Sequence, residues 1–367
     1  MKSTSILWGL LTLLSAASGG VSSAAGKTLI DYFLPMPFQG RLTREAWGAA
    51  NVLPRDPQNG LEDTTLKQWY YWDGQILKAP DGKFHMFASR WDQSLGHGGW
   101  VRSAAVHAIG DRAMGPYKDT GLTWPDNQGG RGHNVTALQL PDGRYAVVVS
   151  ETRPGDVFVS KSLDGPWAHL GSIQVDANGF NPRDGRMSNV SVMVRPDGIF
   201  EIVGRSGAIL ISSEGMLGPY KIQGPSIYPG IMPEGLPLRN LEDPVIWYSG
   251  SMYHIVVNCW SERKAFHLTS RDGIGNWKNR GLAYDPATNF VRYQDGTVNH
   301  WEKMERPGVY LENGHVAYFT FAVLDVPKER EHGNDNHGSK ILVVPFDGAA
   351  FDRDMQQIVK AEENPSK

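Results

Sequence analysis

Apolar residues in this chain alternate over short runs, and no run has a helical period. "WDGQILKAPDGKFHMFAS" from Trp72, "HNVTALQLPDGRYAVVV" from His133 and "SNVSVMVRPDGIFEIVG" from Ser188 follow one plan. Each opens on polar residues, turns apolar, breaks at Pro-Asp-Gly and turns apolar again, the pattern of two strands joined by a tight turn. Weaker copies of the turn are "YSGS" at 248–251 and "ENG" at 312–314, so the period is roughly 53 to 63 residues. A second landmark follows each of the first four hairpins, at 115–121 (GPYKDTG), 165–171 (GPWAHLG), 218–224 (GPYKIQG) and 275–281 (GNWKNRG), and is lacking after the fifth. Between hairpin and landmark there is room for two more strands. Each period therefore predicts one four-stranded antiparallel sheet, and five such sheets predict an all-β, five-bladed β-propeller. A two-sheet sandwich or a β-helix fits the long period less well.

Boundaries follow from the repeat. Residues 61–350 form the propeller, 26–60 pack on or close it, and 351–367 are a C-terminal tail. "KILVVPFDG" at 340–348 supplies a later strand of the fifth sheet, and "KTLIDYFLPM" near residue 30 closes the ring. Residues 1–25 differ from the rest. Lys2, the apolar "ILWGLLTLL" and the small-residue "SAASGGVSSAA" follow the order of a secretory signal, and the apolar run is too short to span a bilayer. The expected location is extracellular or periplasmic. Cys259 is the single cysteine, so stability must come from the core rather than from an internal disulfide.

Composition narrows the partners. Formal charge is −3 with no basic run, which argues against nucleic acid, and no other stretch predicts a membrane span. A homodimer is compatible with the chain.

Aligning the five repeats on their first strands brings out the candidate chemistry. One column reads Asp73, Asn134, Asn189, Asp243, Arg306, and its neighbour reads Trp72, His133, Ser188, Glu242, Glu305. Inner strands of a propeller begin at the central channel, so the first column should ring one opening with the second beside it. Strand alternation sends adjacent residues to opposite faces, so both columns reach the channel only if the strand start is irregular. Paired carboxylates at a small opening are what glycosidic cleavage needs: one protonates the leaving oxygen, the other activates water or attacks the anomeric carbon. Asp73 and Asp243 lie two blades apart, which leans toward the wider spacing of inverting enzymes. "NVT" at 134–136 and "NVS" at 189–191 fit the glycosylation pattern but fall on inner strands, where a glycan has no room.

With these features the chain resembles the five-bladed propeller glycosidases, among them glycoside hydrolase families 43, 62, 32 and 117, over roughly residues 60–348. A family 43 pattern implies Asp73 as base and Glu242 as acid. A family 117 pattern implies Asp73 as base, Asp243 as assistant and His300 in "TVNHWEKMERP" as acid; the chain lacks a convincing form of that family's N-terminal dimerisation motif. Expected substrate contacts are His133, Asn134, Asn189, Glu305, Arg306 and the aromatics Trp91, Trp100 and Trp301. Arg306 either pairs with the inner carboxylates or holds a substrate carboxylate or sulfate. No cofactor is expected to be required. The Gly- and His-rich loops at 96–100 and 331–340 could line the pocket or hold a divalent cation near the channel, without a recognised ligand spacing.

Together these features predict a secreted, exo-acting, inverting glycoside hydrolase trimming a terminal sugar from a plant, algal or microbial glycan. Two alternatives stay open: a propeller-type polysaccharide lyase acting on a uronate-containing glycan through His133, Asn134 and Arg306, and a non-catalytic sugar-binding propeller.

Overall fold

In the computed structural model, which describes residues 26–44 and 47–363, the chain forms five sheets of mainly antiparallel strands. The predicted secretory signal, residues 1–25, lies outside the described residues. Blade one runs Trp69–Lys78, Phe84–Asp92, Ala104–Gly110 and Lys118–Leu122, from the channel outward. Blade two is His133–Gln139, Tyr145–Glu151, Asp156–Ser160 and Ala168–Ser172, and blade four is Leu241–Ser249, Met252–Cys259, Lys264–Ser270 and Lys278–Tyr284. Blade three, Ser191–Val194, Phe200–Val203, Ile209–Ser212 and Tyr220–Ile222, gains a fifth, parallel edge strand at Val175–Asp176.

The repeated turns fold alike because they are chemically alike. In all three Pro-Asp-Gly turns the glycine has φ between 82° and 89°, and its N–H bonds the carbonyl three residues back (Ala79, Leu140, Arg195). The Asp carboxylate accepts the N–H two residues on, at Lys83, Arg144 and Ile199. A side chain with a Cβ is strained at that φ, which is why glycine recurs there.

Blade five has three strands, Lys303–Glu312, His315–Leu324 and Ser339–Pro345. The N-terminal segment completes its outer edge in pieces rather than as a strand. Leu61 exchanges both backbone hydrogen bonds with Ile341, and the Asn59 side chain imitates a strand by bonding Val343 through both its amide nitrogen and oxygen. Further along, Phe33 bridges Phe346. Closing the ring this way leaves no exposed ladder on that edge.

The C-terminal segment differs from the expected tail. Gly348–Glu363 is an α-helix whose Phe351, Met355 and Val359 recur at i, i+4, i+8 and are all buried. Phe351 meets Tyr32 edge-on at 5.4 Å, and the Asp352 carboxylate accepts Ser249 Oγ at 2.7 Å and His315 Nδ1 at 2.5 Å. The helix thus clamps the N-terminal segment to blades four and five.

Candidate active site at one mouth of the channel

All five first-column residues have left-handed backbone: Asp73 at φ 68°, Asn134 at 54°, Asn189 at 49°, Asp243 at 54° and Arg306 at 47°. Pairing with the second strand slips at Asp73/Gln75, Glu242/Val245 and Glu305/Gly308. One irregular residue per blade lets two successive side chains approach the same end of the channel. Asn and Asp tolerate this conformation better than most residues; Arg306 does not, so it must be held there.

The columns form two layers. The upper layer walls a cavity of about 180 Å³. Trp72, His133, Ser188, Glu242 and Glu305 all line it, as do Asn134, Asn189 and Asp243. Glu151, at the end of the second strand of blade two, joins them, with His97 and Trp100 from the loop after blade one's second strand and Lys328 from the long blade-five connection.

Beneath lie Asp73 and Arg306, 1% and 5% exposed, which do not line the cavity. The Arg306 guanidinium bridges the two aspartates, Nε 3.5 Å from Asp73 Oδ1 and Nη1 3.5 Å from Asp243 Oδ1. Its backbone N–H also donates to Asp243 Oδ2 at 3.3 Å, and Asn189 Nδ2 donates to Asp243 Oδ1. Asp73 Oδ2 accepts Ser89 Oγ and the N–H of Val135 in blade two (3.1 Å). Ser150 Oγ, bonded to the Asn134 carbonyl, likewise receives the N–H of Val190 in blade three. These contacts stitch each blade to the next, so much of the polar column serves blade-to-blade bonding.

Electrostatics separates the carboxylates. Burial, then the neighbouring Asp243 and Glu305, push Glu242 up to about 8, against the pull of Lys328 and Arg205. Its surroundings thus favour the protonated form more than those of an ordinary glutamate. Glu305 instead accepts Lys328 Nζ at 2.5 Å. Burial opposes the charge on Lys328, but Glu305, Glu242 and Asp243 outweigh it and raise its pKa. Burial lifts Asp73 to about 6, although Arg306, Ser89 and the Val135 N–H favour its charged form. Burial, Arg306 and Lys328 lower His133 to about 3, so it is neutral. Glu151 Oε1 accepts Ser188 Oγ at 2.8 Å and the Asn189 N–H at 2.9 Å.

Glu242, Asp243 and Glu305 each place an oxygen within 4.8 Å of the others, a spacing that could hold a divalent cation. The Lys328 ammonium already neutralises one of the three, so the set fits a cation poorly. His85, His107 and Asp164 have similar spacing on blade one's two middle strands and a loop of blade two.

Several predicted residues lie elsewhere. His300 bonds Pro286 O through Nδ1 at 3.3 Å and does not line the cavity. Trp301 is 1% exposed and packs near the Arg55 guanidinium in the core, away from any sugar. Trp91 is buried, donates to Gly96 O and supports His133 edge-on at 5.7 Å, behind the cavity wall. Of the aromatics expected at the mouth, Trp100 alone combines exposure (37%) with a place in the lining. Asn134 and Asn189 are buried, so neither can carry a glycan. The 96–100 loop lines the cavity through His97 and Trp100, as one of the two readings of it had it, whereas Glu151, Arg205 and Lys328 were not singled out from sequence. Glu151 ends a second strand and Lys328 sits in an irregular connection, where no repeat alignment points.

No protein-family profile matches the sequence, and a search of curated proteins finds no match. Solved structures do match. One, described as a glycoside hydrolase, aligns over 79% of this chain at TM-score 0.52 and 15% identity; this chain spans 61% of its length. A family 117 glycoside hydrolase of the marine bacterium Zobellia galactanivorans aligns over 79% of this chain and 88% of its own at TM-score 0.52 and 13% identity. The GH43_1 enzyme from Xanthomonas citri complexed with xylotriose aligns over 75% and 87% at TM-score 0.50 and 14% identity. The fold is that of five-bladed propeller glycoside hydrolases, as the sequence pattern suggested.

Proposed function

We propose that this protein is a secreted, exo-acting glycoside hydrolase that removes a terminal sugar from a plant, algal or microbial glycan with inversion. One observation carries the reading: the carboxyls of Glu151, Glu242, Asp243 and Glu305 line one cavity with room for about one sugar ring, where burial and acidic neighbours raise Glu242. Pairs of carboxyls whose surroundings drive their protonation apart mark acid and base.

Glu242 gives its proton to the glycosidic oxygen as the bond to the anomeric carbon breaks, and the bonding electrons stay on the leaving oxygen. Glu151, two blades away across the cavity, takes a proton from the water that attacks the opposite face of that carbon. Both carboxyls return to their starting states through solvent. Glu305, tied to Lys328, and Asp243, tied to Asn189 and Arg306, supply negative charge toward the oxocarbenium-like transition state. We assign Asp73 the role of holding Arg306 from below, in place of the base role drawn from sequence. Trp100 offers the sugar a stacking face. A small cavity admits a chain end more readily than a chain middle.

The test is incubation of the wild-type protein, Glu242→Gln and Glu151→Gln with agar, arabinan, xylan and uronate-containing oligosaccharides. Products are read by mass, by absorbance near 235 nm and by NMR of the first-formed anomer. A released sugar carrying added water, in inverted configuration and lost in both variants, is the expected result. Retained configuration would move the second role to Glu305, whose oxygen lies within 4.8 Å of Glu242's. An unsaturated product would replace hydrolysis by elimination, with neutral His133 as base. Secretion is checked by sequencing the N-terminus of protein recovered outside the cell, expected to begin near residue 26.

A further inference from the structure

The catalytic cavity opens past Ser188 and Arg205 into a second, larger groove of about 490 Å³ that the hydrolytic step does not use. It lies over blade three and the start of blade four, and four arginines line it: Arg183, Arg186, Arg205 and Arg239. Among the described residues no acidic one lines it. Arg205 reaches back to Glu242 at 3.4 Å. Arg183, Arg186 and Arg239 are exposed, and their side chains form no ion pair or hydrogen bond among the described residues. Such a concentration of unpaired cations in a chain of net charge −3 is not explained by folding. The apolar part of the lining includes Leu238, 37% exposed, and Tyr228, whose buried hydroxyl has no protein partner.

We infer that this groove binds the part of the glycan beyond the scissile bond, and that this part carries oxyanions, as uronate carboxylates or sulfate esters. The inference rests on the hydrolase reading for its placement and adds the substrate class. Guanidinium forks match carboxylate and sulfate oxygens in pairs, which lysines do not. Leu238 gives a sugar face something apolar to lie on. Because Arg205 belongs to both cavities, an anionic unit in the groove would draw Arg205 away from Glu242 and favour the protonated acid.

The experiment measures binding by calorimetry in about 50 mM salt on protein carrying Glu242→Gln, so that no probe is consumed, and again on wild type. Probes are trigalacturonate, a κ-carrageenan tetrasaccharide and neutral agarotetraose. At least one anionic probe should bind on the order of tenfold more tightly than the neutral one and weaken as salt rises. The double variant Arg183→Ala/Arg239→Ala should lose roughly that tenfold while binding agarotetraose as before. The galacturonate and carrageenan arms separate carboxylate from sulfate. Equal binding of neutral and anionic probes, or anionic binding indifferent to the double variant, overturns the inference even if wild type hydrolyses a neutral glycan. Selective, arginine-dependent binding with no cleavage of any probe by wild type would leave the inference standing and overturn the hydrolase reading.

Discussion

Replacing Arg306 by Met keeps the side-chain length and removes the charge between Asp73 and Asp243. Both carboxylates are within 3.5 Å of the guanidinium and almost wholly buried. At an effective dielectric near 20, each attraction is on the order of 4 kcal/mol before desolvation is counted. Much of that gain offsets the burial of three charges, but removing one partner strands the others, which costs about 3–5 kcal/mol at neutral pH. Met is no worse than Arg at a φ of 47°, so backbone strain contributes little to the difference.

The loss should depend on pH in a definite direction. Even with Arg306 present, burial raises Asp73 from 3.8 to about 6. A carboxyl raised on folding favours the folded state below its unfolded value, and that contribution is lost as pH rises through the folded value. In wild type this lost contribution is about 3 kcal/mol, complete above pH about 6. Without the guanidinium Asp73 rises further, and protonation at pH 5 then relieves it. Urea unfolding of wild type and Arg306→Met at pH 5 and pH 8 is the assay. The expected difference is about 3–5 kcal/mol at pH 8 and about half that or less at pH 5. A loss equal at both pH values would refute the buried-charge account and leave only packing.

Three further outcomes follow from the same geometry. Lys328→Met removes a charge that lowers Glu242, so the alkaline limb of the pH–rate profile, set near 8 in wild type by that acid, should move upward while kcat falls; a limb that does not move removes Glu242 as the acid. Phe351→Ala, in the C-terminal helix and 1% exposed, should cost about 3–5 kcal/mol in denaturant unfolding, whereas exposed Gln357 cut to Ala should change stability by less than about 0.5 kcal/mol. Trp100→Ala should raise KM roughly tenfold with little change in fold, as read by kinetics beside circular dichroism.

The repeat made the propeller legible because each blade must restate the same hairpin, and Pro-Asp-Gly with a left-handed glycine is a chemical requirement of that turn. The polar columns were legible for the same reason: repeats align, so a position polar in all five copies stands out. What the column could not disclose was depth. Asp73 and Asp243 look equivalent in sequence, yet one lies under the floor and the other lines the cavity, because the difference arises from Arg306 inserted between them. His300 and Trp301 sit in a chemically rich run near blade five, but its backbone is pinned to Asn51 and turned into the core. The C-terminal helix was missed because its apolar positions, Phe351, Met355 and Val359, are spread thinly among charges and read as a tail.

The left-handed residue at the head of every blade links fold to chemistry. A regular strand would present one column to the channel and hide the other, giving a single ring of five side chains. The irregular start brings two rings to one end, so Glu242 can sit directly above the pair that Arg306 holds. Four carboxylates then line one small cavity, and the nearby cations, Lys328, Arg205 and Arg306, do not balance them together with Asp73. Glu242 has only the exposed Arg205 at 3.4 Å, whereas Glu305 has an ammonium at 2.5 Å. Glu242 is thus raised first by its own burial and then by its acidic neighbours, and the cations around the ring offset this only in part; a cation moved closer to it should lower it.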